Sequence, residues 1–187
     1  MKICFLDNST VPYTSNDINS KNIRGGENII IHLSAELSKL NNYVEVFNNC
    51  SQDIIINNVK WSNIKNTTKN IIYDVAFTNN DIKLFNKIKA LKYVAFSHSI
   101  QSIEKFIRKG QLLSYLKYKP KIILLGKYHD QNRNFFLKMF GTINLHWAVD
   151  PLFLETELDD TKIKNQAIFT SRRDRNLDIL INLWKEK

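Results

Sequence analysis

The sequence predicts an α/β domain: a parallel sheet wrapped by helices. Strand-length apolar runs alternate with helical patterns from residue 3 to residue 147, and turn or cap residues separate them. Such alternation calls for right-handed crossovers, and no period suggests a solenoid. The 187 residues, 43% of them hydrophobic, suffice for one full core and part of a second domain.

Residues 3–6 read as a buried strand and 8–24 as a polar loop. From Glu27 the apolar residues Ile30, Leu33, Leu37 and Leu40 recur at helical spacing. Asn41-Asn42 makes a turn before a strand at 43–47. Residues 50–70 look irregular, with the short run Ile54-Ile55-Ile56 inside them. A third strand is expected at 71–76. Asn79-Asn80-Asp81 then signals a helix start, with Ile82, Phe85 and Ile88 on its apolar face. A strand at 93–96 leads through Ser97–Ser99 to a helix carrying Ile103, Phe106 and Ile107, which Gly110 caps. A helix at 111–118 stops at Pro120. Next come a strand at 121–125, a helix at 130–140 bearing Phe135, Phe136 and Met139, and a strand at 143–147.

The unit closes near residue 150. Residues 151–165 read as a linker, with Glu155, Glu157, Asp159 and Asp160 clustered in it. Residues 166–187 offer one strand and a helix carrying Leu177, Leu180, Ile181 and Trp184. A lone strand and helix form no core of their own, so this segment reads as the start of an incomplete second domain.

The net charge is +9. Its lysines and arginines crowd the middle of the chain, among them Lys83, Lys105, Arg108 and Lys109, which favours an anionic partner such as a membrane face or a nucleotide. The abundance of Asn, Ile and Lys typical of AT-rich coding sequence explains the lysines equally well. Nucleic acid ranks lower, because basic and aromatic residues do not interleave. No apolar run spans a bilayer, and residues 1–7 are too short in apolar content for a signal peptide, so the expected location is cytoplasmic, with peripheral association at the inner face of the membrane as an option the basic charge leaves open. Cys4 and Cys50 make neither a disulfide framework nor metal-ligand spacing, and no metal is expected.

Gly25-Gly26-Glu27 is the most informative tripeptide. A glycine pair and a carboxylate at the mouth of a helix, soon after a strand, present unpaired N–H groups and the positive end of a dipole, which accept phosphate or diphosphate. On the tripeptide alone, a turn joining two elements is the plainer reading. His98 follows a strand, on the side where open α/β sheets place ligands. Arg172 and Arg175 lie in a charged run, Arg172-Arg173-Asp174-Arg175, at a helix start, where cations oppose the dipole and invite an anion.

Taken in order, these motifs resemble the N-terminal half of a GT-B glycosyltransferase of the retaining family-4 type. Gly25-Gly26-Glu27 resembles its glycine-rich acceptor loop, and Tyr43-Val44-Glu45-Val46 sits where the family writes Gly-His-x-Val. His98 is similar to its cleft histidine. The run from Trp147 to Phe153 resembles its Asn-Gly-Val-Asp-x-x-x-Phe signature, and Phe169–Arg172 resembles the Gly-Arg strand end of the donor-nucleotide domain. Tyr43 stands for His, Ala148 for Gly, and Ser171 for Gly.

The resemblance implies a Rossmann-like acceptor-side domain over residues 1–150, and a donor domain cut short at its start, its paired glutamates lying beyond Lys187. It implies a nucleotide-sugar donor, no other cofactor, and a glycan or lipid-linked acceptor, as in cell-surface polysaccharide synthesis. His98 takes the catalytic position. Gly25, Gly26 and Glu27 hold acceptor or diphosphate, and the guanidinium forks of Arg172 and Arg175 hold the diphosphate. Two rivals stand beside it: a non-catalytic acceptor-binding subunit paired with a separate donor domain, and an unrelated nucleotide-binding domain. The last ranks lowest, since the first βα turn lacks a full Gly-x-Gly-x-x-Gly.

Overall fold

The computed structural model describes residues 1–18, 20, 22–145 and 177–185. The chain separates into two compact units, Met1–Trp147 and Ala148–Lys187. The first contains β1 (Lys2–Leu6), α1 (Gly25–Lys39), β2 (Tyr43–Asn48), β3 (Ile54–Ile56), β4 (Val59–Asn63), β5 (Ile72–Asn79) and β6 (Lys89–Ser97). After these come α2 (Ile103–Arg108), α3 (Leu112–Tyr118), β7 (Lys121–Leu124), α4 (Lys127–Gln131) and β8 (Thr142–Asn144). In the second unit the described element is α5 (Leu177–Lys185). The expected linker at 151–165 and the expected strand at 167–170 lie outside the described residues.

The strands form one eight-stranded sheet in the order β3-β4-β2-β1-β5-β6-β7-β8. Every neighbouring pair is parallel except β3 with β4. Side chains alternate across the sheet and feed two cores. Ile3 and Phe5 of β1 pack with Ile30 and Ile31 of α1, whereas Cys4 and Leu6 pack on the other face with Phe85, Phe106 and Tyr115. With both faces covered, central strands need apolar residues on both sides, which is why β1 reads as a continuous run. The architecture is α/β, consistent with a Rossmann-like fold.

Several expectations are corrected. The glycine pair is not ahead of α1 but forms its first two residues, after Arg24 at the N-cap. The buried face of α1 is Glu27, Ile30, Ile31, Ser34 and Ser38; Leu33 and Leu37 are only partly covered and Leu40 is 72% exposed. Small serines let the helix lie close to the sheet, and the larger leucines ride at the flank. The irregular stretch after Cys50 holds a β3–β4 hairpin turned by Asn57 and Asn58, both at positive φ (51° and 60°). Asparagine tolerates that left-handed region and twists the turn to match the strands. Residues 82–87 form a 3₁₀ helix rather than an α-helix. The helix expected at 130–140 divides into α4 and a 3₁₀ turn at Phe135–Lys138. There Leu137 is the buried residue, and Phe135, Phe136 and Met139 face outward. Among the described residues the final strand is Thr142–Asn144, starting one residue before the expected 143–147, of which 146 and 147 lie outside the described residues.

Candidate functional site

Strand order reverses at β1: β2 lies on one side of it and β5 on the other. Ligands of open α/β sheets sit at the carboxyl ends of strands at such a switch point. Three strands deliver side chains to that edge. Asp7 follows β1 and keeps its ladder bond, its N–H donating to Phe47 O at 2.9 Å. Asn79 ends β5, and His98 follows β6. The fourth contributor, α1, starts there with Gly25.

The start of α1 carries no capping side chain: Arg24 is extended (φ −94°, ψ 166°) and makes no side-chain hydrogen bond to the helix. The N–H groups of Gly26 and Glu27 meet no acceptor among the described residues, so a helix of 15 residues opens its positive end at the strand edge. The two glycines differ in what they face. A Cβ on Gly25 would meet nothing within 4 Å, whereas one on Gly26 would stand 2.7 Å from Asn79 Nδ2. Glycine at position 26 is what allows Asn79 to lie against the helix start.

Glu27 is 5% exposed, and Ser9 Oγ donates to its Oε1 at 2.6 Å. Asp7 is 2% exposed, and Tyr13 OH donates to its Oδ2 at 2.8 Å. Burial lifts the Asp7 carboxyl above the usual carboxylate range; the Tyr13 hydrogen bond opposes this, and the Glu27 charge adds to it. Tyr13, itself buried edge-on against Trp61, is raised well above an ordinary phenol by burial and then by the Asp7 charge. His98 Nε2 donates to Asn79 Oδ1 at 2.8 Å, and its backbone N–H reaches Asn80 Oδ1 at 3.4 Å. Burial lowers the His98 pKa below its ordinary value, against the pull of Glu27. At neutral pH the imidazole is uncharged and able to exchange hydrogen bonds with hydroxyl groups.

Of the residues singled out in the sequence, Gly25, Gly26, Glu27 and His98 thus meet at one edge, although His98 lies far along the chain from the others. Arg172 and Arg175 lie outside the described residues. Sequence reasoning passed over Asp7, Tyr13 and Asn79. Asp7 carried one signal, an acid directly after a buried strand. Asn79 was masked by its resemblance to a helix-start residue, and Tyr13 by its position in a polar loop.

Chemically, the edge combines acceptor carboxylates for sugar-like hydroxyl groups, open amide N–H groups for an anion, and a neutral imidazole. Comparison of the chain with family models, with curated proteins and with solved structures returns no match.

Proposed function

We propose that this chain is the acceptor-side part of a nucleotide-sugar-dependent glycosyltransferase of GT-B architecture, moving a sugar onto a glycan or lipid-linked acceptor. The observation that carries the reading is the convergence of Gly26, Glu27 and His98 at the switch-point edge, bridged by Asn79. Residues at opposite ends of the sheet would have argued against it.

In this reading Glu27 accepts hydrogen bonds from sugar hydroxyls, and the α1 amides face the diphosphate. His98, neutral and oriented by Asn79, hydrogen-bonds the sugar near the reacting carbon. Catalysis then rests on stabilising a departing diphosphate beside an oxocarbenium-like sugar, which fixed dipoles and cations achieve without reorganisation. A neutral histidine suits the task, since an extra proton there would repel the oxocarbenium charge.

The test supplies the chain with a complete donor domain and measures nucleoside diphosphate release from a panel of UDP-, GDP- and ADP-sugars, with binding followed by saturation-transfer NMR. Glu27→Gln and His98→Ala should each lower turnover of the active donor by about 10²-fold, the scale for removing one positioned polar group. Thermal unfolding should stay near that of the wild type. Absence of binding to every donor, or variants as active as the wild type, would sink the proposal.

A further inference from the structure

Next to the His98–Asn79 corner opens a groove of about 460 Å³ whose lining carries three cations, Lys83, Arg108 and Lys109, against one carboxylate, Asp81. Asn8, Asn79 and Asn80 add amide groups to the same wall. The Asp81 carboxylate is already committed. Its Oδ1 accepts from Lys83 N–H (3.1 Å) and Gln111 Nε2 (3.3 Å), and its Oδ2 from Asn8 Nδ2 (3.1 Å). Ion pairs among the described residues are Lys39–Glu36 and Lys60–Glu45, so none of the three groove cations has a carboxylate of the described residues within pairing distance.

Lys105 adds to the excess from a smaller cavity of about 30 Å³, which Lys109 also lines. Burial first, then the charges of Lys109 and Arg108, hold the Lys105 ammonium below the usual lysine range. Like charges are therefore gathered where no carboxylate among the described residues pairs with them. An anion in the groove relieves that repulsion. The volume falls within the range of about 300–1,000 Å³ found for small-molecule sites. It suits a sugar phosphate or one lipid headgroup rather than a polymer.

We propose that this groove binds the phosphate of a phosphate-bearing acceptor, seated among Lys83, Arg108 and Lys109, with the acceptor's sugar end turned toward Asn79 and His98. The assignment of the ligand as acceptor rests on the glycosyltransferase reading; the phosphate site itself does not. Asn79 belongs to both places, as a wall of the groove and as the partner of His98. A phosphate held there anchors the acceptor beside the reacting corner.

The experiment titrates the full chain with glucose 1-phosphate, and separately with glucose, by ¹⁵N NMR and calorimetry. Glucose 1-phosphate should shift the amides of residues 80–83 and 108–111, and glucose should not. The double variant Arg108→Ala/Lys109→Ala should weaken binding by about tenfold or more, as expected for losing charge-assisted hydrogen bonds. The control Lys87→Ala/Lys89→Ala removes the same charge from exposed lysines at the amino end of β6, opposite the groove, and should bind like the wild type. Vesicles of phosphatidylglycerol against phosphatidylcholine separate the sources. Capture by the anionic vesicles that is lost in the Arg108/Lys109 variant and displaced by glucose 1-phosphate assigns the phosphate to a lipid. Binding of glucose 1-phosphate alone assigns it to a soluble sugar phosphate. Equal weakening in both double variants, or no shift at millimolar ligand, overturns the proposal. Phosphate binding with no nucleotide-sugar turnover would instead remove the glycosyltransferase reading and leave the groove standing.

Discussion

Glu45 and Glu27 are buried to nearly the same depth, 2% and 5% exposed, yet the protein surrounds them differently. Glu45, inside β2, receives Lys60 Nζ at 2.8 Å, Ser62 Oγ at 3.1 Å, Tyr73 OH at 2.7 Å and Tyr43 OH at 3.3 Å. Glu27 receives Ser9 Oγ, and its charge also acts on Asp7, Tyr13 and His98. One carboxylate is saturated by its own sheet. The other keeps hydrogen-bonding capacity at the strand edge, beside a second buried acid. A buried charge is expensive unless fully paired, so an under-satisfied one points to a partner from outside the fold.

The largest effect should therefore fall on the saturated residue. Glu45→Ala strands the Lys60 ammonium and leaves Tyr73 and Ser62 without an acceptor, costing about 3 kcal/mol, the lower end for breaking a buried pair, because Lys60 is partly solvated. Glu27→Gln keeps the Ser9 hydrogen bond and should move the urea midpoint by less than about 1 kcal/mol equivalent. Urea titrations of both variants decide the matter. Equal losses would make Glu27 another structural carboxylate and erase the contrast.

The second effect sharpens the edge itself. Gly26→Ala forces Asn79 away from the start of α1 and so disturbs its bond to His98, while Gly25→Ala meets nothing. Both substitutions favour the helix, by up to about 1 kcal/mol each. Donor turnover should drop about tenfold in Gly26→Ala, of the order of one lost neutral hydrogen bond, and stay level in Gly25→Ala. Parallel losses in the two variants would detach Asn79 from the site.

Third comes a gain. The Asp7 carboxyl is raised by burial, so its ionised form opposes folding: the stability it lends the protonated state is complete below the unfolded carboxyl pKa and vanishes as pH climbs through the folded value. Asp7→Asn retains an acceptor for Tyr13 OH and drops the charge. At pH 7 it should stabilise the protein by about 1 kcal/mol, seen as a higher melting temperature, at the expense of ligand binding. A fall in melting temperature would mean that Asp7 is held as firmly as Glu45.

The same contrast explains what was legible in the sequence. β1, β7 and the buried half of β6 from Val94 to Ser97 show as apolar runs because both faces of a parallel strand are buried there, whereas the exposed half of β6 from Lys89 to Lys92 did not show. Gly110 marks its helix end because φ 63° favours glycine. The β3–β4 hairpin hid behind an Asn-Asn turn where Asn-Gly is the usual signal. Gly26, Glu27 and His98 could be picked out through motif resemblance. Asn79 could not, since its role depends on a contact with a helix far away in sequence. The amphipathic pattern placed α1 correctly but its face wrongly, because Ser34 and Ser38 are buried for their small size and not for hydrophobicity.

The smallest effect concerns His98, and its sign opposes that of Asp7. Burial depresses its folded pKa, so the unfolded chain binds the proton first as pH falls. Its contribution to stability is complete above the unfolded histidine pKa of about 6.5 and is lost as pH drops from there through the folded value. Because the stability of His98→Gln lacks this slope, subtracting its urea stability from that of the wild type between pH 7.5 and 5, the approximate window in which histidine titrates, isolates the His98 term from the other histidines. The difference should shrink steadily toward acid. Glu27 works against the depression, so adding Glu27→Gln to the wild type should lower the His98 pKa further, read directly from imidazole proton shifts. A His98 pKa that ignores Glu27 would separate the two residues and end the claim that α1 and β6 build one site.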